Sequence, residues 1–313
     1  MTPRQIGLLA ALSAIWGGSY LLIKYALEDF SAPVIVAART ALAALVLVIA
    51  MRGAVRGTFA DMRRRPAWAA LLGGVAVAVP FTLITLGELE VPSGLTAVLI
   101  SPAALFVALF APLIDPSERI DRKQGVGMVI GLAGVALVVG VESIHSLWQF
   151  LGAIAMVGAA VCYALGGFVV KRRYGRLTSM QTSFVSLSVA TVLTLPAAVV
   201  TAPTEAPGLR AVVSLIALGV VGTALAFVIF YKLIAEVGAG RASLVSYLAP
   251  GVALFYGGIF LDEAITPAAI VGLVAILGGV ALASRPRRRD AEPQAVASAL
   301  HGPDTVASGA RVP

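Results

Sequence analysis

Charged residues are scarce in this sequence. Asp, Glu, Lys and Arg together make up 12% of 313 residues, against roughly a quarter in an ordinary soluble domain. So little charge does not cover a water-facing surface, which excludes a free-standing soluble fold. The net charge of +7 would suit nucleic acid only if the basic residues shared one face, and they fall instead in short clusters between apolar stretches. One cysteine, Cys162, lies inside an apolar stretch, so no intrachain disulfide forms and the redox compartment stays open. Of the two histidines, His145 falls between stretches and His301 near the C-terminus, and neither pairs with Cys, Asp or Glu at metal-binding spacing. A Gly-rich phosphate loop ending in Lys-Ser/Thr is missing, as is a Gly-x-Ser-x-Gly elbow. An ATPase is thereby excluded, no metal or cofactor is called for, and the polar cluster of a lipid-modifying membrane enzyme is wanting. The pattern of repeated polar residues that a channel pore needs is missing too. The expectation is a protein that is not an enzyme.

Long apolar runs, by contrast, are abundant, and hydrophobic residues make up 59% of the chain. A helix needs about 20 mostly apolar residues to cross a hydrocarbon core of roughly 30 Å. Ten stretches qualify: 5–26, 33–51, 67–86, 93–113, 123–141, 148–170, 179–200, 210–231, 241–260 and 266–284. They are continuous rather than alternating, which rules against barrel strands, and helices satisfy their own backbone in lipid. The first stretch exceeds the usual signal-peptide core and lacks a small-residue cleavage site, so it reads as a retained span.

Orientation follows from Lys and Arg. With the N-terminus inside, the inner segments hold 19 of them and the outer segments only Lys24 and Arg210. The fold expected is therefore an all-α integral membrane protein of ten transmembrane helices with both termini cytoplasmic. Residues 286–313, rich in Ala, Pro, Ser and Gly, read as a disordered cytoplasmic tail. Arginine far outnumbers lysine, and Ala and Gly abound, which points to a GC-rich bacterial genome and a cell inner or plasma membrane.

The chain repeats itself. Glu118, Ile120, Gly127 and Gly134-Val-Ala-Leu137 recur as Glu263, Ile265, Gly272 and Gly279-Val-Ala-Leu282 at an offset of 145. Leu72-Gly73 and Phe81 match Leu218-Gly219 and Phe227 at 146, Trp16 and Lys24 match Tyr163 and Lys171 at 147, and Pro102 matches Pro250 at 148. Two units follow, residues 1–141 and 148–285. An odd number of spans per unit turns the second upside down, the inverted repeat of many secondary transporters, whose site lies near mid-membrane between the halves.

Motifs fall in order along both units. The first opens with Ala14-Ile-Trp-Gly-Gly-Ser-Tyr20, Lys24, Pro33 and Arg39-Thr-Ala-Leu42. The second closes with Gly222-Thr-Ala-Leu-Ala-Phe227, Gly238-Ala-Gly-Arg-Ala-Ser243, Leu248-Ala-Pro250, Asp262-Glu263 and Gly278-Gly-Val-Ala-Leu282. Together they resemble the EamA-type transporters of the drug/metabolite transporter superfamily, over residues 1 to 285. The resemblance implies two inverted five-helix units, alternating access, and export or exchange of a small metabolite such as an amino acid. A proton-coupled exporter of drugs or toxic compounds is the alternative. It wants a membrane-embedded carboxylate, and every Asp and Glu here falls at a span end or in a loop.

Candidate substrate-binding residues are Trp16, Tyr20, Arg39, Phe81, Tyr163, Phe227, Tyr231 and Tyr247. Arg39 stands out, because a charge inside a span costs at least a few kcal/mol. Either it snorkels outward to Glu28, Asp29, Glu88 or Glu90, or it faces a cavity and holds a substrate carboxylate. Its counterpart near Val185 or Ser186 is uncharged. Gly17 and Gly18 beside Trp16 allow close helix approach. Pro102 and Pro250 are candidate hinges, since proline inside a helix removes a hydrogen bond and kinks it. Glu118 and Glu263 read as acids at helix starts, favoured by the dipole. The partners expected are a small-molecule substrate and the bilayer, and no nucleic acid.

Overall fold

The computed structural model of the chain describes residues 1–51, 53–114, 120–142, 146–174 and 177–283. Each apolar stretch is helical there. In chain order these are α1 (Pro3–Ala26), α2 (Ala32–Met51), α3 (Pro66–Gly87), α4 (Ser93–Leu113), α5 (Arg122–Glu142), α6 (Leu147–Tyr174), α7 (Ser179–Val200), α8 (Leu209–Val237), α9 (Val245–Phe260) and α10 (Pro267–Ala283). The first eight are long and apolar enough to cross a membrane, while α9 and α10 are apolar but shorter, at 10–17 residues. A short basic helix, Ala54–Arg64, joins α2 to α3. No strand occurs among the described residues. Glu118, His145 and the tail expected at 286–313 lie outside them.

Helix starts follow local chemistry. Thr2 and Thr178 cap α1 and α7, each through a reciprocal pair with the Gln three residues on (Gln5 and Gln181). Ser146 caps α6 through the N–H of Gln149. Glu263 departs from expectation. It does not start α10, where Thr266 accepts the N–H of Ala269. Its carboxylate instead accepts the N–H groups of Ser93 and Gly94 and the Ser93 hydroxyl, so it caps α4 in the other half.

Packing pairs like with like. α2 lies on α7 and α5 on α10; α1 packs against α8 and α9, and α6 against α3 and α4. α5 and α10 meet backbone to backbone through glycine. A Cβ on Gly127 would stand 2.7 Å from Gly279 O, and one on Gly134 would stand 2.9 Å from Gly272 O. The 145-residue offset carries Gly127 onto Gly272 and Gly134 onto Gly279, so it exchanges these two contacts. The helices are antiparallel where they cross. Gly17 does similar service for α1, where a Cβ would come 2.8 Å from Val252 and 2.9 Å from Ala249 O of α9.

α3 and α8 share a feature that periodicity does not reveal. Each changes from α to π-helical winding at the same place, Gly74–Ala78 and Val220–Leu225. In α3, Pro80 follows one residue later and has no N–H to return to the preceding turn. In α8 the Thr223 hydroxyl donates to Leu218 O, five residues back. Such π segments commonly mark functional sites.

The two prolines differ. α4 breaks into Ser93–Ile100 and Ala103–Ile114 at a turn holding Ser101 and Pro102, with Pro102 O accepting from Leu105 and Phe106. α9 runs through Pro250 as one helix, and the turn there comes earlier, at Ser243 and Leu244.

Candidate functional site

Both π segments border one cavity of about 550 Å³ at the centre of the helices. Of the sequence candidates, Trp16, Tyr20, Arg39, Phe81, Tyr163, Phe227, Tyr247 and Pro250 line it, and Pro102 is buried behind the wall. Tyr231 belongs to α8, but its side chain lies outside the described residues. Hydroxyl residues complete the wall: Ser19, Thr182, Ser183, Ser186 and Thr223, with Ser243 and Ser246. Sequence reading passed over these because isolated Ser and Thr sit easily in apolar helices by bonding back to their own backbone. Ser19 and Ser186 do so, to Ile15 O and Ser183 O.

Arg39 is 6% exposed and faces this cavity rather than the outer loops. Two of the outward partners expected for it, Glu28 and Asp29, are otherwise engaged. Glu28 pairs with Arg210 at 2.6 Å, and Asp29 accepts the N–H of Gly208. The Arg39 guanidinium lies over the Phe81 ring, 4.0 Å from its centroid. Its Nε and Nη2 both donate to Thr223 Oγ1, at 3.3 and 3.2 Å.

The π segment of α8 explains why Thr223 serves. Its own proton goes to Leu218 O, so its oxygen lone pairs are left for Arg39. Gly219 brings α8 this close, since a Cβ there would stand 3.3 Å from Arg39 Cα. Among the described residues no carboxylate lies within ion-pair distance of Arg39. A guanidinium carries five N–H donors, and a buried cation without a counter-ion is costly. Such an arrangement can accept an anion.

Around Arg39 the wall is aromatic. Trp16 meets Phe227 edge-on with ring centroids 6.4 Å apart, and Phe230 at 5.2 Å. Tyr20 and Tyr163 pack with the core on either side. One cation, several hydroxyls and a belt of rings suit a small molecule with an anionic head and an apolar remainder.

The two ends of the cavity differ. Away from the termini the halves are tied by Glu28–Arg210, Asp29–Gly208, Ser31–Thr201, Tyr25–Phe260 and Ser93–Glu263. Toward the termini, the lining reaches Thr182 and Ser183 in the first turn of α7, and Ser243 and Ser246 at the approach to α9. Cross-half side-chain ties at that end include Arg4 and Gln5 to Glu236, and Gln181 to Thr58.

Apolar helices wrapped around a cavity with a buried cation in its wall are the architecture of a multi-pass membrane protein. The chain belongs to the EamA-like transporter family, whose model matches residues 4–140 and again 150–285. It is 28% identical to a probable terminal-alkyne amino-acid exporter of Streptantibioticus cattleyicolor, over 88% of this chain and 93% of that one. It is 26% identical to an uncharacterized transporter of Archaeoglobus fulgidus, covering 89% and 98% of the two chains. It is 29% identical to the uncharacterized inner membrane transporter YedA of Escherichia coli, covering 80% and 81%. A solved crystal structure shares the fold with a TM-score of 0.63 at 20% identity, over 92% of this chain and 100% of that one. The family and these relatives point to a transporter of the drug/metabolite type rather than to an enzyme.

Proposed function

We propose that this chain is a secondary transporter that exports or exchanges a small carboxylate-bearing metabolite, of the size and kind of an amino acid, by alternating access. The observation that carries the reading is Arg39. It is a cation in the cavity wall, held by Thr223 and Phe81, with no carboxylate within ion-pair distance among the described residues. The name of the Streptantibioticus relative agrees with an amino-acid substrate.

Ten spans in two inverted units, 1–141 and 148–285, complete the reading, with both termini at the cytoplasmic face of a bacterial inner membrane. The exchange of the Gly127–Gly279 and Gly134–Gly272 contacts under the repeat offset supports inversion, as do the matched π segments. The cavity, sealed by polar ties at the end away from the termini, corresponds to an inward-facing state. Pro102 and Pro250, together with the turns that interrupt α4 and precede α9, are the hinges about which it reopens outward.

The test is efflux from proteoliposomes loaded with a mixture of amino acids, read by mass spectrometry against empty vesicles. The metabolites lost should also accumulate in the medium of cells that carry the gene. If nothing carboxylate-bearing leaves the vesicles, the reading fails.

A further inference from the structure

The residue after α3 is a carboxylate in an unusual place. Glu88 is 0% exposed, and among the described residues neither of its carboxylate oxygens meets a hydrogen-bond donor. It stands at the C-terminal end of its helix, where the helix dipole opposes a negative charge. Lys24 Nζ donates to the backbone carbonyl of Glu88 rather than to its carboxylate. Glu88 lies one helical turn beyond Ile84 and two beyond Phe81, both of which line the cavity. The charged groups that act on it are Lys24 of α1, Arg39 of α2 and Glu263 of the loop after α9, and the titratable Tyr20 of α1 also interacts with it.

An ionised carboxylate with no donor and no water contact is among the costliest groups a protein can bury, and such a group takes up a proton instead. Burial accordingly pushes the Glu88 carboxyl well above the usual carboxylate range; Lys24 and Arg39 pull against this, and Glu263 adds to it. The same end of the molecule carries the polar ties that close the cavity.

We propose that Glu88 is a proton-binding site, and that closing the outer end of the cavity takes up one proton onto its carboxylate. The proton comes from water on the outer side while that end is open, and closure traps the neutral acid. When the end reopens, water reaches the carboxyl and the proton is free to leave as hydronium, restoring the carboxylate. The inference rests on the inward-facing reading above and deepens it, because it makes the gating of the site dependent on pH.

The test needs no transported substrate. Ile23, in the cavity wall next to Lys24 and 1% exposed, is replaced by cysteine in a full-length Cys162→Ala chain. Spheroplasts are treated from outside with a membrane-impermeant maleimide. The reference is Thr204→Cys in the same background, on the exposed loop between α7 and α8, which carries the thiol's own response to pH. One linked proton shifts an open–closed equilibrium by up to about tenfold per pH unit, so labelling of Ile23→Cys relative to the reference should rise at least about fivefold between about pH 5.5 and about pH 8. Adding Glu88→Gln should hold the ratio low and flat.

A flat ratio without Glu88→Gln overturns the proposal even if that variant fails to fold. So does an unchanged pH response with it. A pH-dependent ratio in a chain that moves no metabolite would sink the transport reading while leaving the proton site standing.

Discussion

The two halves share a scaffold and divide the chemistry unequally. Both halves wind α3 and α8 into π segments at matching places, and both place a ring where α1 and α6 pass the cavity, Trp16 and Tyr163. The buried charges Arg39 and Glu88 both come from the first half. The first half supplies Lys24, Arg39 and Glu88, whereas the repeat offsets place Lys171, Ser186 and Ile234 in the second. Of these, Lys171 sits in the π segment ending α6, Ser186 is a hydroxyl in the cavity wall, and Ile234 packs in an apolar cluster. Duplicated architecture builds the cavity, and asymmetric substitution sets its charge.

The scaffold side of this comparison breaks most violently at its glycines. Gly279→Leu should give no monodisperse protein, because its Cβ would run into the backbone of Gly127 and Gly131. The neighbouring Gly278→Leu, whose Cβ meets nothing within 4 Å, should purify and melt like the parent. Gel filtration and a thermal melt on the pair check this.

The chemical side breaks next. Arg39→Gln should fold normally and lose at least about 30-fold in apparent substrate affinity, since losing one member of a buried charge pair costs about 2–5 kcal/mol. Phe81→Ala leaves the charge but removes the ring under it. A desolvated cation–π contact is worth about 2 kcal/mol, so affinity should fall roughly tenfold to thirtyfold. Smallest is Arg210→Gln. It removes an exposed ion pair with Glu28, worth about 0–1 kcal/mol, so the melting temperature should move little and transport should lose part of its salt dependence.

Much of this was legible in the sequence. Continuous apolar runs placed the helices within a few residues, because length and hydropathy decide the question in lipid. Arg39 declared itself because a charge inside such a run needs a reason. Trp16, Tyr163, Phe81 and Phe227 were chosen by size and matched positions and Tyr20 and Tyr247 by their rings alone, and all six line the cavity. Glu88 was missed because a span end reads as a loop, and only tertiary packing shows that this end is buried. Glu263 was assigned to the wrong helix for a related reason, since its partners Ser93 and Gly94 lie 170 and 169 residues away. Thr223 was quoted within a motif, but its role depends on a π segment that no periodicity announces. The matched prolines promised matched kinks; α4 breaks at Pro102 while α9 runs through Pro250.

The central claim is that Arg39 receives a substrate carboxylate, and counterflow in proteoliposomes tests it most directly. The protein and its Arg39→Gln variant are compared with amino acids identified from the efflux mixture and with their amides and methyl esters as competitors. The account predicts that free acids compete, that carboxylate-blocked analogues do not, and that the variant no longer distinguishes them. Equal competition by acids and esters, or undiminished uptake in Arg39→Gln, would contradict it.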